Sequence, residues 1–550
     1  MKFSHKRIIW NVALIRYLCF CSLITCRQAD SKPNEKVIEK LKEQQESIPQ
    51  NQVNGHDETT HAIDVDQVND AALSVTVRKN TSQTTPITYS STNLQTLLKS
   101  SGAWSLATGG EGSRLELQLR GSSGAQTGIY LDQIPLHSLR GQSVDLNLFA
   151  IDLFEQVRVK HGGDGALKVS GVLSGYMQLM PKRNQDKVNS KQLKFSTSTQ
   201  GFAQISTLYQ KQISTQSNGL FALSLGGGPN QFPYQDQYST HKRRSYSDFT
   251  RLTGLGHIDY SLGDWQLSLL GGWGLLDRGE PGPEAFSLPN RRSHQRATFF
   301  STSITSPSTP LGVGLISLTL NTSLLGLTYH FNEENPLWQS QDNAQTEFED
   351  KRYQTQAEVI FEYNHWLSSL IIELSQTYAS VLKTRVQRTQ GALIPNFHWT
   401  IKPWLSWRFA YRLDFNTERS FQMLPSTTLM LNTLDLRPWR WWISWSKVWR
   451  DPGFDERYLV GPSIIPNPSL QPEHGQWAEM GISKSIKALL RHAPLRIHLS
   501  LKGFTQRFEQ LIIYVPIDPY RLRADNILGA DYLGLEGELI LSYHPKYVLC

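Results

Sequence analysis

The sequence predicts a mainly β protein, with a transmembrane antiparallel β-barrel following a smaller N-terminal α+β domain. From about residue 189 onward, apolar and polar residues alternate in strand after strand. Of the 15 tryptophans, all but Trp10 and Trp104 lie in this region. No run after the first thirty residues is apolar and long enough for a membrane helix, which needs about 20 residues. A strand of a membrane barrel shows no continuous apolar run, because every second residue faces a polar lumen.

The N-terminus has the pattern of an export signal, which we place at residues 1–29. Lys2, Lys6 and Arg7 precede an apolar run. The residues before Cys26 also resemble a lipoprotein cleavage box, so lipidation of Cys26 remains an alternative. Residues 30–72 lack aromatic side chains and are rich in Lys, Glu, Gln, Asn and Asp. They cannot bury a core, and we expect a flexible periplasmic tether.

Residues 73–183 have a different sequence pattern, with short β-prone runs broken by glycine. The expected strands are 74–77, 115–119, 129–131 and 157–159, with a short helix at 93–99. This pattern indicates a compact α+β domain ahead of the barrel.

Composition excludes several classes of function. Cys19, Cys21, Cys26 and Cys550 lie in the signal or at the last residue, so no disulfide framework or cysteine metal site is expected. The net charge of +7 is spread along the chain, which argues against nucleic-acid binding. No phosphate loop, His-Glu-x-x-His or serine elbow is present. We therefore expect no catalytic residues, cofactor or metal ligands.

The barrel region, residues 189–550, shows the alternation clearly. In 405–414, in 495–502 and in 357–364, alternate positions are apolar and the intervening ones mostly polar. A soluble β-sandwich would alternate too. The tryptophans near strand ends, as in 439–449, favour a membrane barrel, because such rings concentrate at lipid headgroups.

Length limits the size of this barrel. A plugged barrel of 22 strands, at about 20 residues per strand and connection, needs roughly 440 residues, whereas 189–550 supplies 362. Either the barrel is smaller or the reading frame is cut short. We expect an incomplete barrel that leaves an open sheet edge.

Two sequence blocks in the α+β domain carry a family resemblance. Residues 119–121 read LRG and 129–136 read IYLDQIPL, where Arg120, Gly121, Asp132 and Pro135 stand out and Gln133 replaces a usual glycine. Residues 154–163 read FEQVRVKHGG, ending in Gly162 and Gly163. Both blocks resemble the plug signature of TonB-dependent receptors, whose plug lies in the barrel lumen.

A third block lies in the barrel region and agrees with this resemblance. Residues 451–458 read DPGFDERY and 467–473 read NPSLQPE, with Glu479 following. They are similar to the barrel signature of the same family. The resemblance implies ion pairs between plug and barrel that involve Arg120, Glu473 and Glu479, although each could instead be an ordinary lumen residue.

Arg158 departs from the family pattern, as do Gln156 and His161. The family has a carboxylate where this chain has Arg158. A buried Arg158 would need a carboxylate partner, and its removal would then cost a few kcal/mol.

The resemblance also implies partners and an address. The protein would reside in the bacterial outer membrane, in contact with lipid, and import a scarce bulky nutrient such as a ferric chelate (a ferric siderophore) or cobalamin. A TonB-type protein of the inner membrane would supply energy through a coupling segment, matched here by Leu73, Ser74, Val75, Thr76 and Val77. That segment could equally be the plug's first strand. A non-transporting truncated remnant, or an adhesin or signalling barrel on the same scaffold, is the alternative function.

Overall fold

We describe the protein from a computed structural model. The described residues are 73–75, 104–107, 112–137, 140–162, 171–184, 189–198, 201–229, 231–235, 241–280, 291–333, 344–381, 384–433, 439–461, 464–490, 493–527 and 529–543. The expected signal, the tether, the helix at 93–99, and Thr76, Val77 and Gly163 lie outside these ranges.

The N-terminal domain is built on a five-stranded sheet in the order β1-β6-β7-β4-β5. Strands β4 and β7 run parallel, and the other neighbouring pairs are antiparallel. A separate hairpin joins β2 to β3. The strands are β1 Leu73–Val75, β2 Trp104–Ala107, β3 Leu115–Gln118, β4 Gly128–Leu131, β5 Ile134–Pro135, β6 Phe154–His161 and β7 Gly175–Pro181. Three 3-10 turns lie between them, at Gly124–Gln126, Leu146–Leu148 and Ile151–Leu153.

The domain has its own apolar core, because alternate strand residues point inward. Leu117, Ile129, Leu131, Val157 and Leu179 are almost wholly buried. The strands predicted near 115, 129 and 157 are confirmed.

The barrel wall consists of antiparallel neighbours paired in chain order from β8 to β29, and the sheet order returns from β29 to β8. Its strands are β8 Ser190–Thr197, β9 Ala203–Gln212, β10 Ser217–Gly228, β13 Phe249–Leu262, β14 Trp265–Gly279, β15 Arg291–Thr305, β16 Thr309–Leu311, β17 Gly314–Glu333, β18 Ala344–Tyr363, β19 Trp366–Val381, β20 Thr384–Lys402, β21 Leu405–Asn416, β22 Arg419–Asn432, β23 Trp439–Arg450, β25 Glu473–Leu490, β26 Ala493–Glu509 and β29 Gly529–Tyr543. The short β16 extends the hairpin between β15 and β17.

The two faces of the wall differ as the alternation predicts. On β9, Ile205 and Tyr209 are exposed, whereas Gln204 and Ser206 face the lumen and are buried. On β26, Leu499 and Leu501 point outward and Lys502 points inward. An apolar outer face and a polar lumen are what a lipid-embedded barrel requires.

Several tryptophans form part of an aromatic girdle at one end of the barrel. Trp265 and Trp366 follow the two-residue turns at 263–264 and 364–365, Trp404 belongs to the turn at 403–404, and each is exposed. Indole rings at this level suit the lipid headgroup region. We call this the short-turn end. Among the described residues no helix has the length and hydropathy to cross a bilayer.

The sheet order of the described strands returns from β29 to β8, whereas the residue-by-residue pairings run from β8 through β26 to β29. The expected open edge therefore stays a prediction. The first and last strands still carry very exposed apolar side chains, with Leu193 at 74% and Leu533 at 85%. A lipid-facing surface tolerates such side chains, because hydrocarbon rather than water surrounds them.

Two long connections at the opposite end carry structure of their own. Residues 451–472 contain the helix α1 Phe454–Tyr458 and strand β24 Ile464–Ile465. Residues 510–528 contain β27 Ile512–Pro516 and β28 Leu522–Asn526, which join β24 in a three-stranded sheet. The connection after β10 holds the hairpin of β11 Phe232–Gln235 and β12 His241–Arg244. We call this the long-connection end.

Candidate functional site at the plug–barrel interface

Arg120 is presented to the barrel by a tight turn after β3. Arg120 and Gly121 both have positive φ, at 48° and 82°. A Cβ on Gly121 would come within 2.8 Å of the Tyr532 ring. Glycine is therefore required at 121 both for the left-handed backbone and for the close approach to the wall.

The guanidinium of Arg120 joins two barrel carboxylates. Its Nη2 lies 2.6 Å from Glu479 and 2.8 Å from Glu536, and its Nε donates to Glu536 at 2.9 Å. The Phe504 ring lies 4.0 Å from the guanidinium carbon. The buried contact with Glu479, the partly exposed contact with Glu536 and the cation–π contact make this a strong tie between the domains.

Glu473 also binds the plug, but through a different residue from the one expected. Its carboxylate accepts from Gln126 at 2.8 Å and from the Ile512 backbone N–H at 2.8 Å, and it pairs with Arg450. The expected pair of Arg120 with Glu479 is present, whereas Glu473 binds Gln126 and Arg450 instead. Glu536, which the family motifs did not single out, fills that place. The reason is register, since β26 lies between the two strands, with Glu479 opposite Phe504 and Glu536 opposite Lys502.

In the turn between β4 and β5, where the family usually has a glycine, the left-handed conformation belongs to the preceding residue. Asp132 takes the left-handed conformation, with φ 54°, while Gln133 stays outside that region and is exposed. The Asp132 carboxylate accepts two bonds from Arg183 Nη2, each 3.0 Å. Asp tolerates this backbone because its side chain bonds locally. Pro135 is buried in β5, and its carbonyl accepts from Arg352 at 3.3 Å.

Gly162 ends β6 where the plug meets the barrel wall. Its φ is 83°, and a Cβ would lie 1.9 Å from the Trp477 ring. His161, beside it, has no bond to its buried Nδ1. Burial first, and then the nearby Arg120, lower the pKa of His161 to about 3, so the ring is neutral near pH 7.

The helix α1 reaches from the long-connection end down to the plug. Asp455 pairs with Arg140 at 2.8 Å, accepts from Gln142 at 2.6 Å, and donates its backbone N–H to the Arg140 carbonyl at 3.0 Å. Arg140 also contacts Asp350 of β18 at 3.0 Å. Burial raises the pKa of Asp455 to about 6. The sequence motif that contains α1 predicted the family but not this contact, which joins residues over three hundred positions apart.

The same connection is held to the barrel wall. Arg450 binds Glu456 at 3.0 Å and also pairs with Glu473. The Glu456 carboxylate accepts from the Gly453 backbone at 2.6 Å. Plug, helix and wall thus share one buried network.

Further ion pairs hold other sides of the plug. Asp145 caps the 3-10 turn at Leu146–Leu148 and binds Arg278 of β14 at 2.5 Å. Asp152 binds Lys194 of β8 at 2.5 Å. The resting plug is therefore tied to the wall at several points around its edge.

Arg158 does not have the carboxylate partner that a buried position would require. It is half-buried, its Nε donates to Gln156 at 3.1 Å, and it forms no ion pair with any described residue. Val157 and Val159 on either side take the core positions of β6. The expected loss of a few kcal/mol on removing Arg158 therefore falls to that of a surface substitution, within about 0.5 kcal/mol.

Leu73, Ser74 and Val75 form β1 at the edge of the plug sheet. They pair with Val159, Arg158 and Val157 of β6. β1 is the terminal strand of the sheet order, with a neighbour on one side only among the described strands. An edge strand at this position is compatible with both roles considered for the segment.

Taken together, these contacts describe a domain held inside a barrel. Within the described part of the chain, no group of three His, Cys, Asp or Glu side chains could hold a metal ion. What the arrangement can do is open or close a passage.

Comparison with known proteins agrees with this architecture. Residues 67–176 match the model of the TonB-dependent receptor plug domain, and residues 184–547 match that of the TonB-dependent receptor-like β-barrel. No curated protein matches the chain in sequence.

Solved structures share the fold at low identity. The hemophore receptor HasR of Serratia marcescens superposes with a TM-score of 0.68 and 14% identity, over 82% of this chain and 77% of that one. The ferric enterobactin receptor PfeA of Pseudomonas aeruginosa gives 0.64 and 12%, over 82% and 75%. The copper transporter OprC gives 0.65 and 11%, over 80% and 72%. With plug and barrel both matched in order, the chain belongs to the TonB-dependent receptors of the bacterial outer membrane.

Proposed function

We propose that this protein imports a scarce, bulky nutrient, most directly a ferric siderophore, across the outer membrane. The observation that carries the proposal is the plug itself, which is tied to the wall by buried ion pairs such as Arg120 with Glu479 and Arg140 with Asp455. Breaking one side of such a pair costs about 3–5 kcal/mol. Passage past such a plug therefore needs an external source of work.

The cargo class is supported by what similar structures are named for. These include receptors for ferric enterobactin and for a heme-carrying hemophore, and a copper transporter. Iron complexes are the most frequent theme among them, so we put a ferric siderophore first. Cobalamin is the other bulky nutrient expected from the family resemblance.

A growth test identifies the cargo. The chain is expressed in an iron-starved strain without its own receptors of this family, and a panel of ferric siderophores, heme and cobalamin is supplied. We expect one compound to restore growth, and only when the inner-membrane coupling protein is present. Failure of every compound, with the protein shown to be in the outer membrane, would favour the non-transporting alternative.

We further propose that the segment from Leu73 to Val77 couples the plug to the inner-membrane motor. A strand at a sheet edge can be pulled away or extended by a partner strand. β1 pairs with β6 on one side, which supports such a role.

Replacing Val75 with proline tests this coupling. We expect Val75→Pro to abolish uptake and to leave ligand binding at the cell surface intact, because proline removes a backbone donor from the docking strand. The measurement is uptake of radiolabelled cargo against binding at low temperature. Ser74→Ala, which keeps the backbone donor, is the control. Normal uptake by the proline variant contradicts the coupling role.

A further inference from the structure

The outer face of the barrel carries a cluster of cations where its apolar band ends. Arg296 of β15, Lys351 of β18 and Arg385 of β20 are all exposed. We call these three side chains the outer cation cluster. Each lies on the same face of its strand as an exposed apolar or aromatic residue nearer the short-turn end, namely Phe300, Tyr353 and Leu393. The cluster therefore lies toward the long-connection end, which in such barrels is the extracellular one.

Strand register brings the three cations into one sector. Arg296 lies in line with Glu349 of β18, because both are opposite Thr328 of β17. Lys351 is two residues from Glu349 on the same face. Arg385 lies on β20, the second neighbour of β18. Neighbouring strands are about 4.8 Å apart, so four strand spacings place the two arginines about 19 Å apart, with Lys351 between them.

Two tyrosines mark the depth of this sector in the membrane. Tyr378 lies opposite Lys351, and its ring meets the Tyr353 ring edge-on, with 6.2 Å between centroids. Both rings are exposed on the outer face, as are Ile372 and Leu374 nearer the short-turn end. Tyrosine is enriched at lipid headgroups. The cluster therefore borders the apolar band at the level of the outer-leaflet headgroups.

The cluster has more positive charge than its own carboxylates neutralise. Glu349 binds Lys351 at 2.7 Å, and Glu347 lies two residues further from the apolar band. Arg296 and Arg385 form no ion pair with any described residue. A guanidinium close to hydrocarbon is costly unless it meets an anion. Lipid phosphate is the anion available at this level.

An arginine on β26 shows how the barrel treats the same side chain elsewhere. Arg507 is also exposed and near the long-connection end, but it lies 3.7 Å from Glu509 and 3.9 Å from Asp531. Its charge is matched within the chain. Arg296 and Arg385 have no such carboxylates, so their counter-charge comes from outside the described chain.

We propose that the outer cation cluster binds a phosphorylated glycolipid of the outer leaflet, with one phosphate at Arg296 and a second at Arg385. A guanidinium matches the oxygens of a phosphate through paired N–H donors. One phosphate cannot reach both arginines. A disaccharide headgroup with a phosphate at each end offers two, and the long arginine side chains close part of the distance. This lipid site is independent of the cargo.

Binding of two lipids that differ by one phosphate tests the proposal. The full chain, purified in a zwitterionic detergent, is titrated with diphosphoryl or monophosphoryl lipid A, and bound lipid is measured by native mass spectrometry. We expect the diphosphoryl form to bind at least tenfold more tightly. Equal binding of the two lipids contradicts the paired phosphate sites. Displacement of the bound lipid by an equal concentration of inorganic phosphate contradicts a lipid as the occupant.

Single substitutions locate the site on the barrel. Arg296→Gln and Arg385→Gln should each lower the affinity for diphosphoryl lipid A at least fivefold and abolish the preference over the monophosphoryl form. Arg296→Lys, which keeps the charge, should retain most of the affinity. Arg507→Gln is the matched control and should bind as the wild type does. Thermal melting without lipid should be unchanged in all four variants, because these side chains are exposed. Wild-type binding by both cluster variants, or an equal loss in Arg507→Gln, contradicts the site.

Discussion

Replacing Arg120 with alanine should loosen the plug. The change leaves the buried Glu479 and the partly exposed Glu536 without their cation. Stranding the partners of a buried ion pair costs about 3–5 kcal/mol. We expect cells carrying Arg120→Ala to become sensitive to large antibiotics such as vancomycin, because the plug no longer seals the lumen.

Two further variants make this test specific. Arg158→Ala removes an arginine of the same domain that forms no ion pair with the described residues, and it should leave antibiotic resistance and thermal melting unchanged. Adding Glu479→Gln and Glu536→Gln to Arg120→Ala removes the stranded charges, and it should recover part of the lost stability. If cells with Arg120→Ala stay as resistant to vancomycin as wild-type cells, and the variant has the wild-type melting temperature, the ion pairs do not hold the plug.

Replacing Gly453 with alanine should release the helix α1 from the plug. A Cβ there would lie 2.2 Å from the Gly141 nitrogen and 2.3 Å from the Arg140 carbonyl carbon. Both atoms are backbone, so neither can rotate away. Gly453 has an ordinary φ of −69°, which alanine adopts without strain. The whole effect, about 1–3 kcal/mol or more, therefore arises from the contact.

The measurement is protease cleavage within 451–472 in intact cells. We expect Gly453→Ala to be cleaved at least tenfold faster than the wild type, because moving α1 also breaks the contacts of Asp455 with Arg140 and Gln142. Gly503→Ala is the control, since its Cβ would meet its nearest atom at 4.0 Å. If Gly453→Ala is cleaved at the wild-type rate, the wall and plug can move apart without loss of the contacts that hold α1. That result would contradict the prediction.

Much of this architecture could be predicted because it depends on local patterns. Alternation at 405–414 and 495–502 placed Arg412 and Lys502 on the lumen face, and burial of both side chains confirms it. The LRG turn indicated a plug signature, and the positive φ at Arg120 and Gly121 gives its physical reason. Strand period and turn chemistry are properties of neighbouring residues, so the chain displays them before it folds.

Pairing across the molecule could not be predicted in the same way. The sequence offered Glu473 and Glu479 equally as partners for Arg120, and only the registers of β25 and β29 on either side of β26 decided that Glu479 and Glu536 take that place. Arg158 carried the same formal charge as Arg120 but lies half-buried beside Gln156. Charge alone does not determine a partner, because burial and register set which groups can meet.

The sequence by itself determined the class of the protein, a plug followed by a β-barrel, together with the faces of its strands and the turns of its plug motifs. Tertiary structure decided which carboxylates bind Arg120, and the docking of Asp455 on Arg140. These features depend on residues hundreds of positions apart, whose proximity follows from the order and register of the strands rather than from any local preference.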